Sequence, residues 1–494
     1  MKLLSIIVIG VFGMVGALLT TSSLSGQKNI KKPAGGVSEE QKVRLENLIA
    51  RTRTASPEVA GDVFLTLISG NTIASKNKKI ALLEEVFQFA KQSREPVRRK
   101  NWGKLVDTRN GFKQMAYKMG LDQLSLKSRV TQSMVSLDRI RARNLFAEIK
   151  LPALEVLTCE DALGYDLSAY YDAMWVIANQ GFSAEEKKAG LHFQFILEHI
   201  AKVTTLAQLS PILKIIAEDK LQPDELNTLV SSVVRMLNRV SRDPRSFAFA
   251  VERESVIRHF NRLLARLKEN SLPVSESESA IKSFLTKGFT EPVCSDVSWL
   301  KNGKAVMPEA VAALNKVLAV PLTEDDIQPV EIKGRAKDVT YWQAADTKQL
   351  LTNIKALRFG NGSVELTIEQ RQSEEWQQNL AGFLDLLHTW ESPKESAEDD
   401  YFQQKSLIYE ALLDVCPEKI PLHNKILYAY AKYLKETNRH HKGSIGWLWH
   451  AKNYLRIVSR KNNTEYSLHW NTWRESGDDM LWLYGELSSL LAGK

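Results

Sequence analysis

YFQQKSLIYEALLDVCPEKIPLHNKILYAYAKYLKETNRHHKGSIGWLWHAKNYLRIVSR, residues 401–460, decides the fold. In its first part Phe402, Leu407, Ile408, Ala411, Leu412, Leu413 and Val415 recur at spacings of three, four and seven, the signature of a helix with one buried stripe. Cys416-Pro417 ends that helix, because the proline ring disfavours helical backbone at the residue before it. Pro421 suits the first turn of a second helix, on which Leu422, Ile426, Leu427, Tyr430, Tyr433 and Leu434 trace another stripe. A polar link over residues 438–443 follows. A third helix then carries Trp447, Leu448, Ala451, Tyr454, Leu455 and Val458 on one side. Helices of this length, joined by short links, bury their stripes only on neighbours, so the local arithmetic predicts stacked helix pairs.

The same period runs outward from this stretch. Helices are expected over residues 80–91, 137–149, 226–240, 247–267, 341–357 and 480–491, and over 206–217 with Ser210-Pro211 as a break or restart. Ser38 with Gln41 has the spacing of a capping box, Ser183 with Glu186 is expected to cap a helix that carries Leu191, Phe195, Ile196, His199 and Ile200 on one side, and Ser56-Pro57-Glu58 reads as a cap, a first-turn proline and a dipole-compatible acid. Thr367 with Gln370 is expected to cap one helix running to Trp390. No convincing alternation of period two occurs, although residues 357–359 and 363–366, around Gly360-Asn361-Gly362, are compatible with one small hairpin. The expected class is all-α, with helix pairs stacked as an α-solenoid or α-α superhelix. Pairs of roughly 35 to 45 residues loosely resemble tetratricopeptide and HEAT-type solenoids, without their positional consensus. The organisation reads as a leader over 1–26, a linker over 27–37, a basic helical region over 38–150 and a central helical region over 151–287. An irregular, proline-containing connection over 288–340, with a short helix around 309–318, then precedes a Trp-rich helical region over 341–494.

Lys2, an uncharged apolar run over residues 3–19 and small polar residues up to Gly26 have the form of a secretory signal peptide, or of an anchor if uncleaved. Either way the body is expected outside the cytosol, periplasmic or secreted, with a membrane tether only if the segment is retained. The net charge of the 494 residues is +8, but residues 1–150 hold 26 Lys and Arg against 12 Asp and Glu, so the basic excess lies wholly in the first third. Its densest part includes Arg98, Arg99, Lys100, Trp102 and Lys104. Mixed cations and aromatics of this kind suit an anionic polymer or a solvated loop; export argues against nucleic acid as the partner.

Export also gives the three cysteines meaning. Cys416 falls on a buried stripe, while Cys159 and Cys294 lie near turns, so Cys159–Cys294 is the expected disulfide, other pairings and the absence of a bridge remaining open. His423 is the histidine nearest a cysteine, too weak a signal for a nucleophile. His192 and His199 share a helix side but stand about 10 Å apart, beyond joint reach of one metal. The tandem acids Glu160-Asp161, Asp325-Asp326, Asp399-Asp400 and Asp478-Asp479 point about 100° apart on a helix and do not converge by themselves. No phosphate loop, nucleophile elbow, His-Glu-x-x-His or calcium-loop motif occurs. Five tryptophans, Trp447, Trp449, Trp470, Trp473 and Trp482, gather near the C-terminus, and Trp449 lies off the stripe, where it could meet a partner. No catalytic residue, cofactor or metal is expected. The reading is an exported, non-enzymatic helical binding or scaffold protein of the cell envelope that contacts a protein or an anionic polymer. Its alternative is an envelope hydrolase acting on polysaccharide through paired carboxylates.

Overall fold

A computed structural model describes residues 39–93, 120–151, 154, 167–218, 222–240, 250–294, 299–301, 304–333, 345–362, 364–391, 398–441, 447, 450–454, 457, 471, 473–475 and 479–492. The described chain is mostly helical with a few two-residue strands, so the all-α class holds. Two compact units form: Met1–Ala50 with Trp342–Lys442 and His450–His469, and Arg51–Tyr341 with Gly443–Trp449 and Trp470–Lys494. Helices are numbered in chain order through the described residues, starting with α1 (Glu39–Thr52).

The larger unit begins with α2 (Pro57–Ser69), α3 (Lys76–Ala90), α4 (Gln123–Val135) and α5 (Arg139–Ala147). Pro57 starts α2 as expected, but the Ser56 side chain makes no cap bond. The caps that form come from Ser75, Asp122 and Asp138, each accepting from the backbone N–H three residues on. α2 and α4 cross closely at Gly61, where an added Cβ would stand 3.0 Å from a Leu126 methyl group. Then follow α6 (Ser168–Gln180), α7 (Ala184–Lys188), α8 (Leu191–Ala201), α9 (Leu206–Glu218), α10 (Pro223–Arg239), α11 (Ala250–Glu269) and α12 (Ser275–Thr290). The Ser183–Glu186 capping box is present, but it starts only the five-residue α7; the stripe expected to follow it, Leu191, Phe195, Ile196, His199 and Ile200, lies on the separate α8, after Gly190 at φ +78. Pro211 does not break α9: Leu209, Ile212 and Leu213 are buried on both sides of it, and that packing outweighs the lost backbone bond.

Besides contacts between consecutive helices, such as α7 on α8, two longer-range rows of packing run through this unit. α6 packs on α8, α8 on α10 and α10 on α12, while α6 also packs on α9, α9 on α11 and α11 on α13 (Glu309–Asn315). The stretch expected to be an irregular connection is therefore folded onto this unit. Besides α13 it contains a short 3-10 turn at Asp325–Ile327, which packs on α12, and two strand pairs. β1 (Val293–Cys294) runs parallel to β4 (Ile332–Lys333), and β2 (Leu300–Lys301) antiparallel to β3 (Lys304–Ala305). The C-terminal α19 (Asp479–Ala492) packs on α2. There Tyr484 donates from its hydroxyl to buried Asp62 at 3.1 Å. Arg129 reaches the other Asp62 oxygen at 3.3 Å and the Gly120 carbonyl at 2.9 Å.

The smaller unit contains α14 (Ala345–Phe359), α15 (Ile368–Arg371), α16 (Glu374–Thr389), α17 (Glu398–Val415) and α18 (Pro421–His441). α14 packs on α16 and α17, and α18 on α16 and α17. Three local expectations are corrected here. Residues 357–359 end a helix instead of forming a hairpin: Gly360 takes φ +57, and the Leu366 N–H returns to the Arg358 carbonyl at 2.9 Å. The Thr367–Gln370 capping box starts only the one-turn α15, and Ser373 caps α16 separately. Residues 438–441, expected in a polar link, continue α18. The described residues between 447 and 457 are helical, as the third stripe predicts.

Candidate functional site

The expected binding surface, Arg98, Arg99, Lys100, Trp102, Lys104 and Trp449, lies outside the described residues, as does Cys159. Cys294 in β1 is buried and, unlike Cys416, is not a reduced thiol. Cys416 sits in the core just past α17, its sulfur 3.9 Å from the Pro417 carbonyl oxygen, and His423 presents Nδ1 to the Cys416 carbonyl oxygen at 3.0 Å. The imidazole thus serves the end of a helix. His199 is a core residue: its Nδ1 meets the Phe195 carbonyl at 2.7 Å, rings of Phe146, Tyr170 and Phe195 surround it, and burial lowers its pKa. His192 stands apart from it, 3.8 Å from Glu225. Among the described residues no group of three His, Cys, Asp or Glu is placed to hold a metal.

Among the described residues, the densest polar cluster is in the smaller unit, where charged and hydroxyl side chains lie beside the apolar stripes. Tyr401, Lys405 and Tyr409 lie four apart on α17, and Phe402, Ser406 and Glu410 form the adjacent ridge. Lys405 is only 6 % exposed. Its ammonium donates to the Trp390 carbonyl at 2.9 Å and contacts the Tyr401 hydroxyl at 3.0 Å, and the Tyr401 hydroxyl itself donates to the Trp390 carbonyl. The rings of Tyr401 and Tyr433 flank the ammonium at 5.5 and 5.4 Å. Trp390 is the residue that follows α16, so two side chains of α17 close the carbonyl end of α16, where the helix dipole favours a cation. Burial nevertheless pushes the Lys405 pKa down to about 8, against the pull of Glu436 and Glu391. The same burial raises Tyr401 to about 12 and lifts Tyr409 and Tyr433 as well.

Phe402 links this group to a second one, standing 5.8 Å from Tyr433 and 5.6 Å from His450, ring centre to ring centre. Glu410 uses a single carboxylate oxygen to accept from the Tyr430 hydroxyl and from His450 Nδ1, each at 2.8 Å. Burial first, and then the Glu410 charge, drive the Tyr430 hydroxyl far above its ordinary pKa. A carboxylate that orients Nδ1 would leave Nε2 as the working nitrogen of a general base. Here His450 is 0 % and Glu410 8 % exposed, so no substrate reaches that nitrogen in this conformation. What the arrangement does is join α17, α18 and the helix of His450 at one register, since any slip would strand a charge or hydroxyl in the core. Lys405 and Glu410 stand beside apolar stripe residues, and a charge in that place was the only sequence signal of the network. No family model, curated protein or solved structure matches this chain.

Proposed function

We propose that the chain is an exported, non-enzymatic helical binding or scaffold protein of the cell envelope, contacting another envelope protein or an anionic polymer. The observation that carries the reading is the order of helix contacts in the larger unit: two rows run from α6, one through α8, α10 and α12, the other through α9, α11 and α13. We read these rows as an α-solenoid of helix pairs. Such stacks present long surfaces to macromolecules, because each pair contacts chiefly its neighbours and leaves its outer positions to solvent. The saturation of Lys405, Glu410, Tyr401 and Tyr430 by one another supports the non-enzymatic part. Glu185, Glu186, Asp326, Glu365 and Glu369 all have lowered pKa values, which suits ionised structural carboxylates, whereas a polysaccharide hydrolase needs one carboxyl held protonated.

Export rests on Lys2, the apolar run at residues 3–19 and the small polar residues behind it. No helix among the described residues is long and apolar enough to cross a membrane. Two measurements test the proposal. Binding of the purified chain to an anionic polymer should fall steeply as salt rises, and binding indifferent to salt would reject the polymer contact. The mass of the native chain should report cleavage near Ser25 or Gly26, or a retained anchor in the membrane fraction. A full-length chain in the cytosol would remove the envelope from the reading.

A further inference from the structure

Between α9 and α11 of the larger unit, three polar side chains form a line. Ser210 Oγ lies 3.2 Å from Ser255 Oγ, and Ser255 Oγ lies 3.2 Å from His259 Nε2. Both serines are half-buried, whereas His259 is 8 % exposed and its Nδ1 has no hydrogen-bond partner. Along α11, Arg258 and Arg262 stand exposed three residues after Ser255 and His259, and on α9 half-exposed Lys214 stands four residues after Ser210, on the same side of its helix. Burial, followed by the charges of Arg262, Arg258 and Lys214, drives His259 down to about 4, so the imidazole is neutral at pH 7. Asp172 of α6 is the carboxylate paired with Lys214, at 3.8 Å and half-exposed, a contact worth little in water.

A neutral imidazole and two hydroxyls can order their protons in either direction. In one order Ser210 donates to Ser255 and Ser255 to Nε2. In the other, Nε2–H donates to Ser255, Ser255 donates to Ser210, and the Ser210 proton is released to point outward. A negative group beside Lys214 favours the second order, because it supplies an acceptor for that last proton. We propose that the α9–α11 seam is an oxyanion subsite, in which Ser210, backed by Ser255 and His259, and the cations Lys214, Arg258 and Arg262 seat a phosphoryl group of an anionic polymer. Phosphoryl oxygens suit it better than carboxylates: they offer enough acceptors to take hydroxyl, ammonium and guanidinium donors together. The inference rests on the reading of the chain as a binding protein and adds a ligand class and a set of residues to it.

The test is binding of the full chain to synthetic polyphosphate, with poly-glutamate of matched length as the carboxylate probe. S210A/S255A removes the hydroxyls without changing charge and should weaken polyphosphate binding by about tenfold, the scale of a hydrogen bond to a charged group. It should leave poly-glutamate binding unchanged. K214A/R258A, which removes one half-exposed and one exposed cation, should weaken polyphosphate binding further and flatten its salt dependence. Polyphosphate binding that both double variants retain at wild-type strength overturns the subsite while leaving the binding-protein reading intact. Failure of the wild-type chain to bind either polymer overturns the subsite and the polymer contact together.

Discussion

At the scale of single residues, the folded state depends on polar groups placed where only apolar ones are cheap. Glu410 holds both the Tyr430 hydroxyl and His450 Nδ1. Glu410→Ala strands two buried donors and should cost about 3 kcal/mol, read as a lower urea midpoint. Asp62, 1 % exposed between Arg129 and Tyr484, is the equivalent in the larger unit. Asp62→Ala should cost a similar amount, about 3 kcal/mol, while Tyr484→Phe, which leaves the arginine contact in place, should cost about 1 kcal/mol. Lys405 makes a prediction in pH. Its folded pKa of about 8 lies below its ordinary 10.5, so between those values the unfolded chain binds more protons. The penalty for burying the charge is therefore fully present below about pH 8 and is relieved as pH rises toward 10.5. Relative to Lys405→Met, the wild-type chain should gain stability between pH 7 and pH 10; a difference flat in pH would place Lys405 in water.

At the scale of elements, most helices were legible because a stripe is a property of neighbours in sequence. α17, α18 and the helical residues 450–454 follow the apolar spacing closely. Ends were legible only where a side chain closes them locally. The Ser183–Glu186 box caps α7, and Ser183→Ala should cost about 1 kcal/mol in thermal or urea unfolding. Thr367 and Gln370 form the same box, yet the helix it starts stops at Arg371, because the Ser373 cap restarts the chain as α16. Pro211 shows the reverse, a local breaker overruled by burial on both sides. Gly61 tests how closely elements approach. Gly61→Val places its first carbon 3.0 Å from Leu126 and its methyls beyond, and should destabilise by about 1–3 kcal/mol by forcing α2 and α4 apart.

At the scale of the molecule, charge summed over thirds of the chain was a poor guide to local potential. Residues beyond 150 are acidic in total, yet Lys214, Arg258 and Arg262 all bear on His259 there, because α9 and α11 pack side by side. The cysteines make the same point. Cys416 is a core thiol, as its stripe position implied. We propose Cys159 as the partner of Cys294: peptide mapping without reductant should join the segments that contain them, and a Cys294 peptide attached to any other segment would refute the pairing. Cys416 should react with thiol reagents only once denaturant opens the smaller unit. The sequence alone determined that this protein is built of helices, because the recurrence of apolar side chains every third or fourth position is arithmetic along one backbone. It could not place Lys405 beneath the end of α16, Glu410 against His450, or Ser210 beside Ser255. Those neighbours are separated by 15 to 45 residues of chain, and only burial of one helix against another decides which charges and hydroxyls meet.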